Sequence, residues 1–201
     1  MIKSPRPIEI IILAAGNSSR LGQSKQLVEI NKQSLLLRQC LLALEFTDNV
    51  SCVFGDQYQK MVDEIADLPV KYIINENWQQ GLASSIAKGV SALNSNTQAV
   101  MLLLVDQWQL GIDELTLFIR KWQKKPEYIY TASNDTGIKG PPVIFPQHCF
   151  SDLSQLKRGH GAKSVIDQHT KILRSIRMPA AFIDLDTPKQ LTELKKLYNT
   201  N

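Results

Sequence analysis

A chain of 201 residues with 43% hydrophobic and 21% charged content has the size and composition of one well-buried globular domain, not of a low-complexity chain. The net charge of +4 is mild and scattered, apart from the group Lys121-Trp122-Gln123-Lys124-Lys125 at a predicted helix end, and no basic stripe is interleaved with aromatics; nucleic-acid binding is excluded on that ground. The apolar run after the proline-broken MIKSPRP is too short for a membrane span or a signal segment, so the chain is expected in the cytoplasm with no membrane partner.

In chain order, residues 1–7 are expected as a flexible lead into a single domain spanning 1–201. Residues 8–13 (IEIIIL) form a β-branched run suited to a strand buried on both faces. Small residues follow it: Ala14, Ala15 and Gly16 let a ligand approach the backbone, and Gly16 can take positive φ at low cost. Asn17, Ser18 and Ser19 add donors, and loop N–H groups pointing one way make a nest for an anion, with phosphate the obvious one. Arg20 offers a planar fork to phosphate oxygens and Lys25 a mobile point charge. Gly16 and Gly22 fit neither the Walker loop nor the dinucleotide fingerprint.

Helix and strand periods then alternate. Helices are predicted at 34–46, 58–66, 84–93, 114–123, 150–156, 162–169 and 188–198. Strands are predicted at 50–54, 70–74, 99–105, 128–132, 142–145 and 181–185. Pro141 and Pro142 confine their strand to its start or to an edge, while Pro188 behind Thr187 has the look of a capped helix start. This patterning predicts α/β class, a three-layer α/β/α sandwich on a Rossmann-like parallel sheet, with ligands at the carboxyl ends of the strands where strand order reverses.

Asp106 ends the run AVMLLLV and should emerge at the same edge as the glycine loop, where Mg²⁺ takes one or two carboxylates together with phosphate oxygens. Asp184 and Asp186 would face one site if their strand persists, or else they only cap the last helix. Ser84 and Ser85 read as hydrogen-bond donors to ribose or base, since no nucleophile elbow is present. Trp78 and Trp108 are placed either to stack on a ring or to pack. Cys40, Cys52 and Cys149 are odd in number and widely spaced and read as free thiols, and His148, His160 and His169 form no zinc spacing with them.

The loop at 13–25 resembles the L-A-A-G-x-S-x-R-x-G-x-x-K signature of the molybdenum cofactor nucleotidyltransferases, most closely the cytidylyltransferase branch. Four further segments resemble the family in order: Gly81-Leu82-Ala83-Ser84-Ser85-Ile86, the strand end LLLVDQ at 102–107, Gly140-Pro141-Pro142-Val143-Ile144-Phe145, and Asp184-Leu185-Asp186-Thr187-Pro188. The resemblance implies a mostly parallel sheet with one antiparallel strand. It also implies transfer of a nucleotidyl group from CTP, or another nucleoside triphosphate, to the phosphate of a molybdopterin-type acceptor, with release of pyrophosphate.

In that reading Lys25, Arg20 and Asp106 are catalytic. Leu13, Ala14, Ala15, Gly16, Asn17, Ser18, Ser19, Gly81, Ser84 and Ser85 bind nucleotide, and Asp106 with Asp184 or Asp186 holds Mg²⁺. A molybdoenzyme receiving the cofactor is a further implied partner. The sequence departs from the family at Val105 and Trp108, where glycine and proline flank the acid, and at Gly159, where an acidic residue is usual. GTP as donor, a sugar or alcohol phosphate as acceptor, and a non-catalytic cofactor-delivery chaperone stay open.

Overall fold

Alternation in the first strand sets the layers. In β1 (Ile8–Leu13), Ile8, Ile10 and Ile12 face one apolar cluster while Ile11 and Leu13 face another, so a helix layer must cover each side. The computed structural model describes residues 7–16, 18, 21–55, 57–159 and 161–198. The expectations for residues 1–6, Asn17, Ser19, Arg20 and His160 therefore lie outside the described residues. Pro7, expected within the flexible lead, already has its carbonyl bonded by the N–H groups of Gln98 and Ala99.

After β1 the chain makes a small ribbon of β2 (Glu29–Ile30) and β3 (Gln33–Ser34), then α1 (Leu35–Leu44), whose Ser34 caps the helix by accepting from Leu37 N–H. It continues through β4 (Val50–Phe54), α2 (Tyr58–Glu64), β5 (Lys71–Ile74), α3 (Leu82–Val90), β6 (Ala99–Leu104) and α4 (Ile112–Lys124). The remainder is β7 (Ile129–Ser133), β8 (Lys139–Pro146), α5 (Phe150–Ser154), α6 (Ala162–Gln168), β9 (Leu173–Arg177) and α7 (Pro188–Tyr198).

The seven-stranded sheet has the order β5-β4-β1-β6-β8-β7-β9. Every pairing is parallel except those of β8 with β6 and with β7, so β8 is the one antiparallel strand the resemblance implied. Residues of α1, α2 and α4 join the cluster on one face, and residues of α3, α5 and α6 join the other. This is the predicted three-layer sandwich. Strand order reverses between β1 and β6, which opens a crevice at their carboxyl ends.

Three expectations are corrected. The strand predicted at 181–185 is not formed: Pro179–Phe182 is a 3₁₀ turn, and the edge strand is instead β9, which pairs with β7 from Ile129↔Leu173 to Ser133↔Arg177. β9 is an amphipathic and largely exposed edge, LRSIR, so burial gave it no apolar signal. Pro141 and Pro142 lie inside β8, an inner strand that begins at Lys139, but ahead of Val143, where its pairing with β6 begins; the β7–β8 register slips there between Thr131 and Ala132, and this bulge accommodates the missing donors. Positive φ in the first loop falls at Ser18 (52°) and Gly22 (75°), not at Gly16.

Candidate active site

Lys25 is the meeting point of three distant segments. Its Nζ donates to Asp106 Oδ2 at 2.5 Å and to Asp186 Oδ1 at 2.7 Å, across 81 and 161 positions of sequence. A satellite apolar cluster draws these segments together: Leu21, Val28, Ile30 and Leu35 flank the lysine, Trp108 follows the first acid, and Leu185 with Leu194 comes from the tail. Trp108 therefore packs. Leu185, fully buried between Asp184 and Asp186, anchors the tail so that an acid on each side is held near the lysine.

Two glutamines that carry no periodic signal shape the backbone here. Gln26 is 1% exposed, and its amide donates to Ala14 O at 2.7 Å and Gly16 O at 2.8 Å. Its own oxygen accepts from Ser24 Oγ at 2.8 Å, while Ser18 Oγ accepts from Lys25 N–H at 3.0 Å. These bonds fold the glycine loop back onto the Lys25 turn and account for the left-handed backbone at Ser18. Gln107 donates to Pro141 O and Ala181 O, both at 2.8 Å, and its oxygen accepts from Leu104 N–H at 3.1 Å. It thereby sets the path of the Asp106 loop despite Val105 and Trp108.

The crevice beside this cluster is a cleft of about 540 Å³ lined by Leu13, Ala15, Gly16, Lys25, Trp78, Gly81, Ser85 and Asp106, among others. Ala14 is buried and is not among its lining residues. Ser85 and Gly81 face the cleft, but Ser84 is not among its lining residues; its hydroxyl donates to Asn77 O or Gly81 O, each at 2.9 Å. Buried Asn75, unnoticed in the sequence, donates to Ser84 Oγ and Ser85 Oγ and fixes the start of α3. Gly55 is required for close approach: a Cβ there would lie 2.6 Å from Ala15 O and 2.8 Å from Trp78 Cγ.

Burial works against the charge on Lys25, but the field and hydrogen bond of Asp106, joined by those of Asp186, outweigh it and raise its pKa above the ordinary value. Asp184 is pushed up to about 6, first by burial and then by the negative charges of Asp106 and Asp186, with Lys25 opposing. The three acids thus share one field although no strand connects Asp184 to Asp186. The helix-cap alternative for them does not hold. Thr187 caps α7 itself, accepting from Gln190 N–H at 3.3 Å while Gln190 Oε1 accepts from Thr187 N–H at 2.9 Å, a complete capping box.

The donor set suits a hard divalent cation. Asp106 Oδ1 and Asp184 Oδ1 are buried without a hydrogen-bond partner, and Asp106 and Asp186 already converge on a positive atom. Three carboxylates around one ammonium leave excess negative charge beside the cleft, which a divalent ion would offset.

Comparison with known proteins agrees with this architecture. The chain is 25% identical over 192 residues to the molybdenum cofactor cytidylyltransferase of Escherichia coli strain K12, covering 95% of this chain and 97% of that protein. It is 24% identical over 191 residues to a probable molybdenum cofactor guanylyltransferase of Nostoc sp. PCC 7120, covering 92% and 89%. The crystal structure of Rv0371c from Mycobacterium tuberculosis H37Rv superposes with a TM-score of 0.81 at 22% identity, over 96% of this chain and all of that one, and shares the fold. Residues 10–172 match the MobA-like NTP transferase domain, a span holding the glycine loop, Lys25 and Asp106; the chain belongs to that family and is a nucleotidyltransferase.

Proposed function

We propose that this nucleotidyltransferase joins CMP from CTP to the phosphate of molybdopterin and releases pyrophosphate. The observation that carries the proposal is the convergence of Lys25, Asp106 and Asp186 at the mouth of a cleft floored by the small residues of the first loop. A phosphate oxygen of the acceptor attacks the α-phosphorus, a new P–O bond forms, and the α–β bridging bond breaks. The attacking group is already ionised, so alignment and charge neutralisation do the work and no protein nucleophile is required.

Lys25, presented by its two carboxylates, stabilises charge on the α-phosphate. Arg20 and the loop N–H groups, assigned from sequence, hold the leaving phosphates. Asp106 and Asp186, with Asp184 beside them, are the residues to hold Mg²⁺, which supplies charge neutralisation to the triphosphate. Ser85 and Trp78 line the wall on which ribose and base would rest. The LAAG start of the loop and the likeness to a cytidylyltransferase support CTP as donor.

The test is pyrophosphate release by the full chain with Mg²⁺, crossing CTP and GTP with molybdopterin and a sugar phosphate. CTP with molybdopterin should be the productive pair. Turnover with GTP or with the sugar phosphate instead reassigns donor or acceptor, and binding of nucleotide and pterin without turnover points to cofactor delivery.

A further inference from the structure

At the opposite edge of the sheet the chain gathers a second set of donors. β8 runs antiparallel, so its last residue, Pro146, pairs with Ala99 at the start of β6, far along the strands from Asp106. His148 and Cys149 follow at once in the 3₁₀ turn Gln147–Cys149, and His169 ends α6. One ligand atom of each of His148, Cys149 and His169 lies within 4.8 Å of the others. Spacing in sequence did not show this, because 19 intervening residues (150–168) loop out and return. We propose that His148, Cys149 and His169 form a Zn²⁺ site on the face of the molecule remote from the nucleotide cleft.

Two imidazoles and a thiolate are donors that favour Zn²⁺ over the hard ions suited to the carboxylate cluster. Asp152 Oδ2 lies 2.8 Å from His169 Nε2. A carboxylate holding one ring nitrogen fixes the tautomer and leaves Nδ1 as the nitrogen for metal, the arrangement by which outer carboxylates orient ligating histidines. Burial is graded in the way an entry path requires: Cys149 is buried, His169 half-buried and His148 exposed. At rest the thiol is protonated, since burial and then the Asp152 charge push it up to about 11. On binding, the S–H bond breaks, a Zn–S bond forms and the proton leaves to solvent. Three protein donors leave one coordination position for water. The ion would staple the end of β8 to the end of α6 and so brace the chain entering β9.

Cobalt titration of the metal-free, reduced full chain tests this, read by the thiolate-to-cobalt charge-transfer band and by displacement with Zn²⁺. One such band per chain is expected, lost in Cys149→Ser. Zn²⁺ affinity should fall at least about 10-fold in His148→Ala and about 10- to 100-fold in Asp152→Asn. Asp106→Asn should leave the band and the Zn²⁺ affinity intact, which separates this site from the cleft. His148 is exposed, so its variant remains informative should Cys149→Ser fail to fold. A wild-type chain without the band, a band surviving in Cys149→Ser, or unchanged Zn²⁺ affinity in His148→Ala overturns the proposal.

Discussion

Two carboxylates aim the Lys25 ammonium and keep it charged, and the proposed function rests on that one group. Lys25→Ala should therefore lower turnover by about 10²- to 10³-fold, the loss expected for one transition-state donor, while nucleotide KM changes far less. Steady-state pyrophosphate release at varied CTP measures both. Gly55 makes the complementary point about space. In Gly55→Ala the new methyl meets the backbone carbonyl of Ala15 at 2.6 Å, and a carbonyl cannot rotate away as a side chain can. We expect a stability loss of about 1–3 kcal/mol by denaturant unfolding, together with a raised nucleotide KM as Trp78 and the loop are displaced. Lys25 and Asp106, the charged residues lining the cleft, were legible in the sequence because a Lys in a glycine loop and an Asp at a strand end stand out against apolar surroundings. Gln26 and Asn75 were not, since a buried amide looks in sequence like any surface amide; Gln107 stood in the strand-end segment at 102–107, but its bonds to Pro141 O and Ala181 O carry no local signal.

Elements deliver those residues, and α7 shows how. The capping box of Thr187 and Gln190 fixes where the helix starts, which leaves Asp186 outside it and turned to Lys25. Thr187→Ala should cost about 0.5–2 kcal/mol of stability. It should also lower turnover, because Asp186 loses its fixed backbone, whereas Thr187→Ser should retain both. Chemical denaturation and initial rates on the two variants decide it. The T-P start of this helix was readable because proline and threonine have positional preferences of their own. β9 was not: an edge strand with one face in water carries arginines where an inner strand carries valines. Residues 181–185 misled in the opposite sense, since Ala181 and Leu185 are apolar for packing in a turn and a tail. The ribbon of β2 and β3, two residues each, is too short to leave a period.

At the scale of the whole molecule, the alternation of strand and helix periods predicted the layered fold, and the reversal of strand order between β1 and β6 explains why the glycine loop and Asp106 open onto one crevice. The third segment, the tail, was flagged by the family likeness of Asp184-Leu185-Asp186-Thr187-Pro188, but what brings it to the crevice is the burial of Leu185 and Leu194 in one cluster with Trp108, which no local pattern supplies. Its arrival has a cost that depends on pH. Asp184 has a folded pKa of about 6 against an ordinary 3.8, so the folded state favours the protonated acid. That favourable term is fully present below the unfolded value and is lost as pH rises through the folded one. Asp184→Asn is neutral throughout, so it should match the wild type in acid and be the more stable protein above pH 6. The gap should open by less than the roughly 1.4 kcal/mol per pH unit of a fully buried group, because solvent reaches this half-buried carboxylate and screens it. Urea unfolding of both proteins from pH 4 to 8 in chelator gives the comparison, and a gap that stays constant across the range would remove Asp184 from the cluster. Repeating the series with Mg²⁺ should narrow the gap at the alkaline end, where the wild-type carboxylate is ionised and gains a cation that the asparagine holds less well.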